Sequence, residues 1–435
     1  MFTVVAFFII LLIPFFLYVP LVNTSEALLK PVVKDNTLRV EQVAYGLDFP
    51  TSMEFLGPGD IIVSEKNKGT VMRIVDGKIL PQPLLDVAVA NENERGLLGL
   101  SIEKGNDLNA TKSVYLFFTE SGADRDYLDF CPVVVDCLGE QPKGNRLYKY
   151  QLKDNKLVEP ELLLDLPAST GSNHIGGVIE IGPDNNIYLS GGDASLQMQT
   201  SNFKNGTLPD GRGGILRMTP DGMPVKSSLF GNEYPMNLYY AYGMRNSFGI
   251  AFDPLSGKLW DTENGKESND ELNLVEEGFN GGWKLINGTS ERNNINLSKL
   301  VTFNGKGKYS DPEFVWSVPV GATSLVFFDS DKLGERYKND LFVADINNGN
   351  MYHFDLTENR SSLVLKNNLT DKVADNKKEY KDIIFAEGFR GITDLEIGPD
   401  GYMYVLTFHE RTYDGYPHYH GNGAIYRIIP EKDRQ

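Results

Sequence analysis

The stretch VIEIGPDNNIYLSGGD (178–193) decides the fold because its phrase recurs: an apolar strand, a turn of Gly, Pro, Asp or Asn, then a second apolar strand. Alternating and β-branched residues suit a half-buried pleated surface, and the Pro-Asp-Asn group makes the turn between them. The phrase reads SMEFLGPGDIIVSEK at 52–66, LSIEKGNDLNATKSVYLFFTE at 100–120 and IAFDPLSGKLWDTENG at 250–265. It returns as LVFFDSDKLGERYKNDLFVAD at 325–345 and LEIGPDGYMYVLTFHE at 395–410. Six copies, separated by roughly 50 and then roughly 75 residues, are the signature of propeller blades. Each copy supplies two inner strands. Segments such as VMRIVDG (71–77), RLYKYQLKDNKL (146–157) and MYHFDLT (351–357) supply outer ones. The expected fold is all-β, a six-bladed β-propeller with four-stranded blades, which leaves only short sheet edges. LRVEQVAY (38–45) has no partner in its own repeat and AIYRIIP (424–430) can pair with it, so N- and C-terminal strands close the ring. Two packed β-sandwiches would not explain six similar turns at long spacing.

The composition agrees. The 21 Tyr, 24 Phe and 43 Gly suit many short strands and turns, and 41% hydrophobic content in 435 residues supports a large core. A net charge of −17 opposes binding to a polyanion, which excludes nucleic acid and anionic lipid as partners. Residues 2–22 are nearly all apolar and no basic residue precedes Lys30. Residues 1–30 are therefore a targeting segment, either a cleaved signal peptide with Ser25-Glu26-Ala27 near the cut or a retained N-terminal membrane anchor. Residues 31–435 form the propeller domain, expected outside the cytoplasm. Cys131 and Cys137 are either a small disulfide loop or two free thiols, and export favours the disulfide. Sequons at Asn109, Asn205, Asn287, Asn296, Asn359 and Asn368 are compatible with a glycosylated surface.

Chemistry-bearing residues gather where inner strands begin. GSNHIGG (171–177) places His174 on a Gly-flanked segment, where small neighbours would let a substrate approach the ring and imidazole could serve as a general base. A His that pins the loop through a backbone hydrogen bond is the alternative. Arg245 and Asn246, after YGM and before a strand, can reach the channel mouth; there a guanidinium binds a carboxylate or a developing oxyanion. Arg245 could equally pair with a neighbouring blade's carboxylate. Glu263, Glu267, Asp270 and Glu271 fall within nine residues beside Gly265. Such a loop suits calcium or is simply solvated. His418 and His420, two apart, read as a surface loop, since two ligands without a third make a weak metal site.

ERGLLGLSIE from Glu94, NHIGG from Asn173, YAYGMRNSFGIAFDP from Tyr240, NDELNLVEEGFNGGW from Asn269 and GAIYRIIP at the end resemble, in order, the glucose/sorbosone dehydrogenase family. These are soluble quinoproteins that depend on pyrroloquinoline quinone (PQQ) and oxidise aldoses on a six-bladed propeller. The resemblance implies His174 as the base that takes the sugar C1 hydroxyl proton, and Arg245 with Asn246 at the quinone carbonyls. It implies further cofactor contacts at Glu94, Asn173, Asn347 and Arg390. It places one calcium on the carbonyls of Gly265 and Lys266 and a second on Glu271 with the carbonyl of Gly281. A small sugar would be the substrate, and an external acceptor would take the electrons. Three positions depart from the pattern. Glu94 replaces Gln, Asn347 replaces Lys, and Gly391-Ile392-Thr393 replaces Arg-x-Arg, leaving Arg390 one place away. A cofactor with three carboxylates would lose charged contacts worth about 1.5–3 kcal/mol each. A propeller that binds a glycan or protein without redox chemistry is the alternative, and a metal-dependent lactonase ranks behind both.

Overall fold

Each copy of the recurring phrase forms an antiparallel hairpin, and each hairpin is the inner half of a separate sheet. The computed structural model describes residues 30–103, 112–123, 126, 142–168, 172–408 and 422–433. Cys131, Cys137, Asn109, His418 and His420 lie outside them. The six inner strands are Pro50–Gly57, Leu97–Ile102, Gly176–Ile181, Ser247–Phe252, Ala322–Phe327 and Ile392–Ile397, which define blades 1 to 6. Each inner strand packs against the next, and the sixth packs against the first, so the ring is closed.

Closure follows the expected pairing. The N-terminal strand Leu38–Leu47 runs antiparallel to Gly423–Pro430, with Leu38 opposite Pro430 and Tyr45 opposite Ala424, and both belong to blade 6. The blades are not uniformly four-stranded. Blades 2 and 6 have four strands, whereas short segments lengthen the others. Val32–Val33 joins blade 5, Val373–Ala374 joins blade 4, and Phe279–Asn280 with Lys308–Tyr309 extends blade 3 in parallel. Apart from Val32–Val33, which precedes the first repeat, these additions come from long excursions between repeats, and all cover sheet edges with backbone partners.

The core is divided among the seams between blades. Trp260, Phe314 and Trp316 of blade 4 meet Leu325, Phe327 and Tyr352 of blade 5 in one seam, all essentially buried. The rings of Phe314 and Trp316 meet edge to face at 4.8 Å. Each such side chain contributes about 1.5–3 kcal/mol on burial, so every seam resists separation of its two blades.

Candidate active site

Hairpin register decides which residues converge. In blade 3, Gly176 at the start of the inner strand pairs with Gly191 at the end of the second. Two residues beyond that pair on each side lie His174 and Asp193, whose side chains meet, with Nδ1 of His174 2.7 Å from Oδ1 of Asp193. In blade 4, Ser247 pairs with Glu263, which brings Arg245 and Asn246 beside 263–265. The same register puts Lys66 after the second strand of blade 1 and Asn347 after that of blade 5. One end of every hairpin thus contributes to one end of the channel.

His174 is held tightly. Its φ of +57° lies in the left-handed region, a conformation that costs a non-glycine residue on the order of 1 kcal/mol and marks sites fixed by their surroundings. Its N–H donates to Oε2 of Glu94 at 2.7 Å, and its carbonyl accepts the N–H of Ala194 at 3.2 Å. Asp193 is fully buried. Besides the imidazole, it accepts the Ser195 N–H at 2.8 Å and the Trp283 indole N–H at 2.7 Å. A carboxylate can only accept, so Nδ1 of His174 carries the proton and Nε2 is left as the acceptor. Asp193 orients a base, and Trp283 fixes Asp193.

The glycines around His174 are required by close packing. A Cβ at Gly176 would lie 2.8 Å from the Ser190 carbonyl, one at Gly177 2.9 Å from the Phe117 ring, and one at Gly192 2.0 Å from the His174 carbonyl. They allow close backbone packing of the hairpin and its neighbour.

Glu94, Asn246 and Arg245 belong to the same network. Oε2 of Glu94 also accepts from Nδ2 of Asn246 at 2.9 Å, while Oδ1 of Asn246 accepts the Gly176 N–H at 3.2 Å. The Glu94 carboxylate is therefore engaged by two N–H donors, which offsets the charge it was expected to turn toward an anion. Arg245 donates from Nη1 to the Asn264 carbonyl at 2.8 Å and lies over the Trp283 ring at 5.5 Å, with its Nε buried and unpartnered. Its carbonyl accepts the Asp193 N–H at 2.8 Å, which couples blades 3 and 4.

The acidic loop resolves into separate roles. Glu267 is exposed and 3.5 Å from Lys266. Asp270 is spent on backbone, accepting from the N–H groups of Gly265, Val320 and Gly321 at 2.7–2.9 Å. Glu263 and Glu271 face each other across paired strands, with Asp261 opposite Asn273 beside them, all buried. Burial pushes the Asp261 carboxyl up to about 7 and that of Glu271 up to about 8. Glu263 rises well above the carboxylate range through burial and the nearby Glu271 and Asp261. Oδ1 of Asp261, Oε2 of Glu263 and Oδ1 of Asn273 are buried without a partner. Orphaned buried oxygens on acids are what a bound cation would satisfy. Glu271 itself accepts from the Gly288 N–H at 2.6 Å, and the Gly281 N–H donates to the Tyr242 carbonyl. Lys266 is exposed, so only its backbone is suited to a ligand role.

Asn173 and Asn347 are exposed at the rim, and Arg390 is half-buried. Sequence reasoning missed Asp193, Trp283 and Lys66. Lys66 is buried and lines a channel cavity of about 750 Å³ together with Asn93, Glu94 and Phe408. Its Nζ donates to Oδ1 of Asn67 at 2.9 Å and to the Asn91 carbonyl at 3.2 Å, leaving one N–H over. Burial lowers its pKa to about 8 against the opposing pull of Glu94.

Such a propeller, with a His–Asp pair at the channel mouth and an Arg–Asn pair in the next blade, sets a base and hydrogen-bond donors at one end of its channel. Residues 47–413 match the glucose/sorbosone dehydrogenase family, and the chain belongs to it. It is 25% identical over 397 residues to the aldose sugar dehydrogenase YliI of Escherichia coli (strain K12), covering 90% of this chain and 95% of that protein. Its fold matches the apo crystal structure of the soluble aldose sugar dehydrogenase of E. coli with a TM-score of 0.66 at 22% identity, over 91% of this chain and all of that one. It matches the PQQ-bound form of the aldose sugar dehydrogenase of Streptomyces coelicolor with a TM-score of 0.61 at 22% identity, over 92% of this chain and all of that one.

Proposed function

We propose that this protein oxidises the anomeric carbon of an aldose to the lactone, with PQQ as hydride acceptor, calcium as its electrophilic partner and His174 as the base. The oriented His174–Asp193 pair carries the reading: with Nδ1 committed to a buried carboxylate, Nε2 is the ring atom left to exchange a proton with substrate. The quinone, when bound, supplies the two-electron acceptor, and calcium polarises it. The residues present suit that group. Arg245, with an unpartnered buried Nε, and Lys66, with one N–H in hand, offer cationic donors, and the orphaned oxygens of Asp261, Glu263 and Asn273 offer cation ligands. Arg245 also pins the Asn264 carbonyl, which sets the loop whose Gly265 and Lys266 carbonyls are the candidate calcium ligands.

In the proposed reaction, His174 would take and hold the C1 hydroxyl proton on Nε2, the ring atom left open by the Nδ1–Asp193 contact. Asp193 stabilises the imidazolium that forms, and Asn246 and Arg245 hold donors toward the developing charge. An external acceptor would be needed to take the electrons from the sugar. Residues 2–22 and the sequons support an extracytoplasmic address, either secreted or anchored.

The test is titration of residues 31–435 with PQQ, in calcium and then in chelator, followed by quinone absorbance and by dye reduction with aldoses. Saturable calcium-dependent binding with sugar-dependent reduction is the expected result. Absence of binding would sink the proposal and turn attention to glycan or protein ligands on the same propeller.

A further inference from the structure

The side of blade 5 away from the site holds a second grouping of ligand-type side chains. Asp340 precedes the strand Leu341–Asp345, His353 lies on Met351–Phe354, and Asp355 follows it. Nε2 of His353 is 2.9 Å from Oδ2 of Asp340 and 3.7 Å from Oδ1 of Asp355. All three donor atoms lie within 4.8 Å of one another, the only such trio of His, Cys, Asp or Glu among the described residues. Asp340 immediately precedes this strand and Asp345 ends it toward the channel mouth, so the cluster lies roughly 16 Å along the strand from Asp345.

We propose that Asp340, His353 and Asp355 form a binding site for a divalent transition metal of the zinc class. Donors around a tetrahedral zinc ion at about 2.0–2.1 Å stand roughly 3.3 Å from one another, and the two observed separations bracket that value. One imidazole with two carboxylates is a borderline donor set, which suits zinc or cobalt better than calcium, whose sites are built from oxygen. The ring is already aimed. It packs against Phe342 at 4.9 Å and against the edge of Tyr337 at 5.3 Å, so little rotamer freedom remains to be lost on binding. Asp340 is fixed through its backbone, its N–H donating to the Tyr337 carbonyl and its carbonyl accepting from Phe328. Asp355 is about half exposed, which leaves the fourth position to water. Lys366 approaches the other oxygen of Asp355, at 4.0 Å from Oδ2, and so does not occupy the ligand position. The ion would stitch the turn before one strand of blade 5 to the end of the next.

The competing arrangement is a His353 that merely bonds to its two carboxylates. Untagged protein freed of metal by chelator should take up one equivalent of Co2+, with the intense visible bands of a tetrahedral ion, and Zn2+ should displace it. His353→Gln and Asp355→Asn should each weaken uptake by at least about tenfold. The exposed position of Asp355 keeps that variant folded. Replacing His418 and His420 with Ala should leave uptake unchanged. The site is overturned if the parent binds neither ion, if both variants bind as the parent does, or if uptake vanishes with His418 and His420.

Discussion

Blades 3 and 4 and blades 5 and 6 present the same hairpin positions to the channel mouth and fill them differently. In blades 3 and 4 those positions carry His174, Asp193, Arg245 and Asn246, linked to one another and to Glu94 through 2.6–3.2 Å hydrogen bonds, with Glu263 accepting the Arg245 N–H. In blades 5 and 6 they carry exposed Asn347 and the Gly391-Ile392-Thr393 run, with Arg390 alone as a cation. Under the proposed function, the difference separates two requirements of one reaction. Proton removal needs a rigid, desolvated arrangement, and that half is built with a buried carboxylate and a buried indole as supports. Holding an anionic cofactor needs only charge within reach. That half is thin here, and Lys66 in blade 1 is the cation best placed to strengthen it.

The largest effect should come from the rigid half. His174→Ala should lower turnover by about 10²–10⁴-fold while quinone affinity, read by absorbance, stays near that of the parent. A variant that turns over sugar at the parental rate would remove His174 from the chemistry. The distinction between the halves also fails if affinity collapses with activity, since the base would then be part of the cofactor cradle.

A smaller effect is expected from Lys66→Met, which removes the ammonium and keeps most of the apolar stem. Loss of a charged contact worth about 1.5–3 kcal/mol should weaken quinone binding by roughly 10–100-fold, with turnover at saturation little changed. An unchanged dissociation constant would show that Lys66 supports Asn67 and Asn91 only. Asn347→Lys, which restores charge on the thin side, should shift affinity the other way.

The architecture was readable because its signal is repeated. Six turns and a terminal strand pair are redundant evidence, and pairing of Leu38–Leu47 with Gly423–Pro430 follows directly. Strand additions from the long excursions were not readable, since Phe279–Asn280 and Val373–Ala374 are too short to show a period. At the site, His174 and Arg245 stood out by residue type and resemblance, whereas Asp193 was only the last residue of the recurring phrase. Hairpin register alone could not have exposed it: counted out from the turn, Asp193 falls opposite Ile175, and only the bulge between Gly176 and Ile179 shifts Gly176 opposite Gly191 and so sets Asp193 against His174. Lys66 ends its repeat in the same way. Trp283 could not be found either, because its role depends on a contact over 90 residues of sequence that no local pattern encodes.

The last effect, and the smallest on turnover, concerns the buried acids of blade 4, where a cation would sit under the proposed function. Asp261 and Glu271 titrate at ordinary values of 3.8 and 4.5 when unfolded and at about 7 and about 8 when folded, owing first to burial. A raised folded pKa means that the folded state holds the proton more tightly, so this stability is full below about pH 4 and drains away as pH rises toward 8. In chelator, the unfolding free energy should therefore fall between about pH 5 and pH 8 by an amount on the order of a few kcal/mol, read as a falling unfolding temperature. Calcium should flatten that decline, because a cation satisfies the ionised oxygens of Asp261 and Glu263 that otherwise lack a partner. Asp261→Asn should flatten it without calcium, having removed one of the charges. If the parent's decline is equally steep with and without calcium, no cation binds these acids, and the cluster is a neutral hydrogen-bonding core whose only ligands are its own protons.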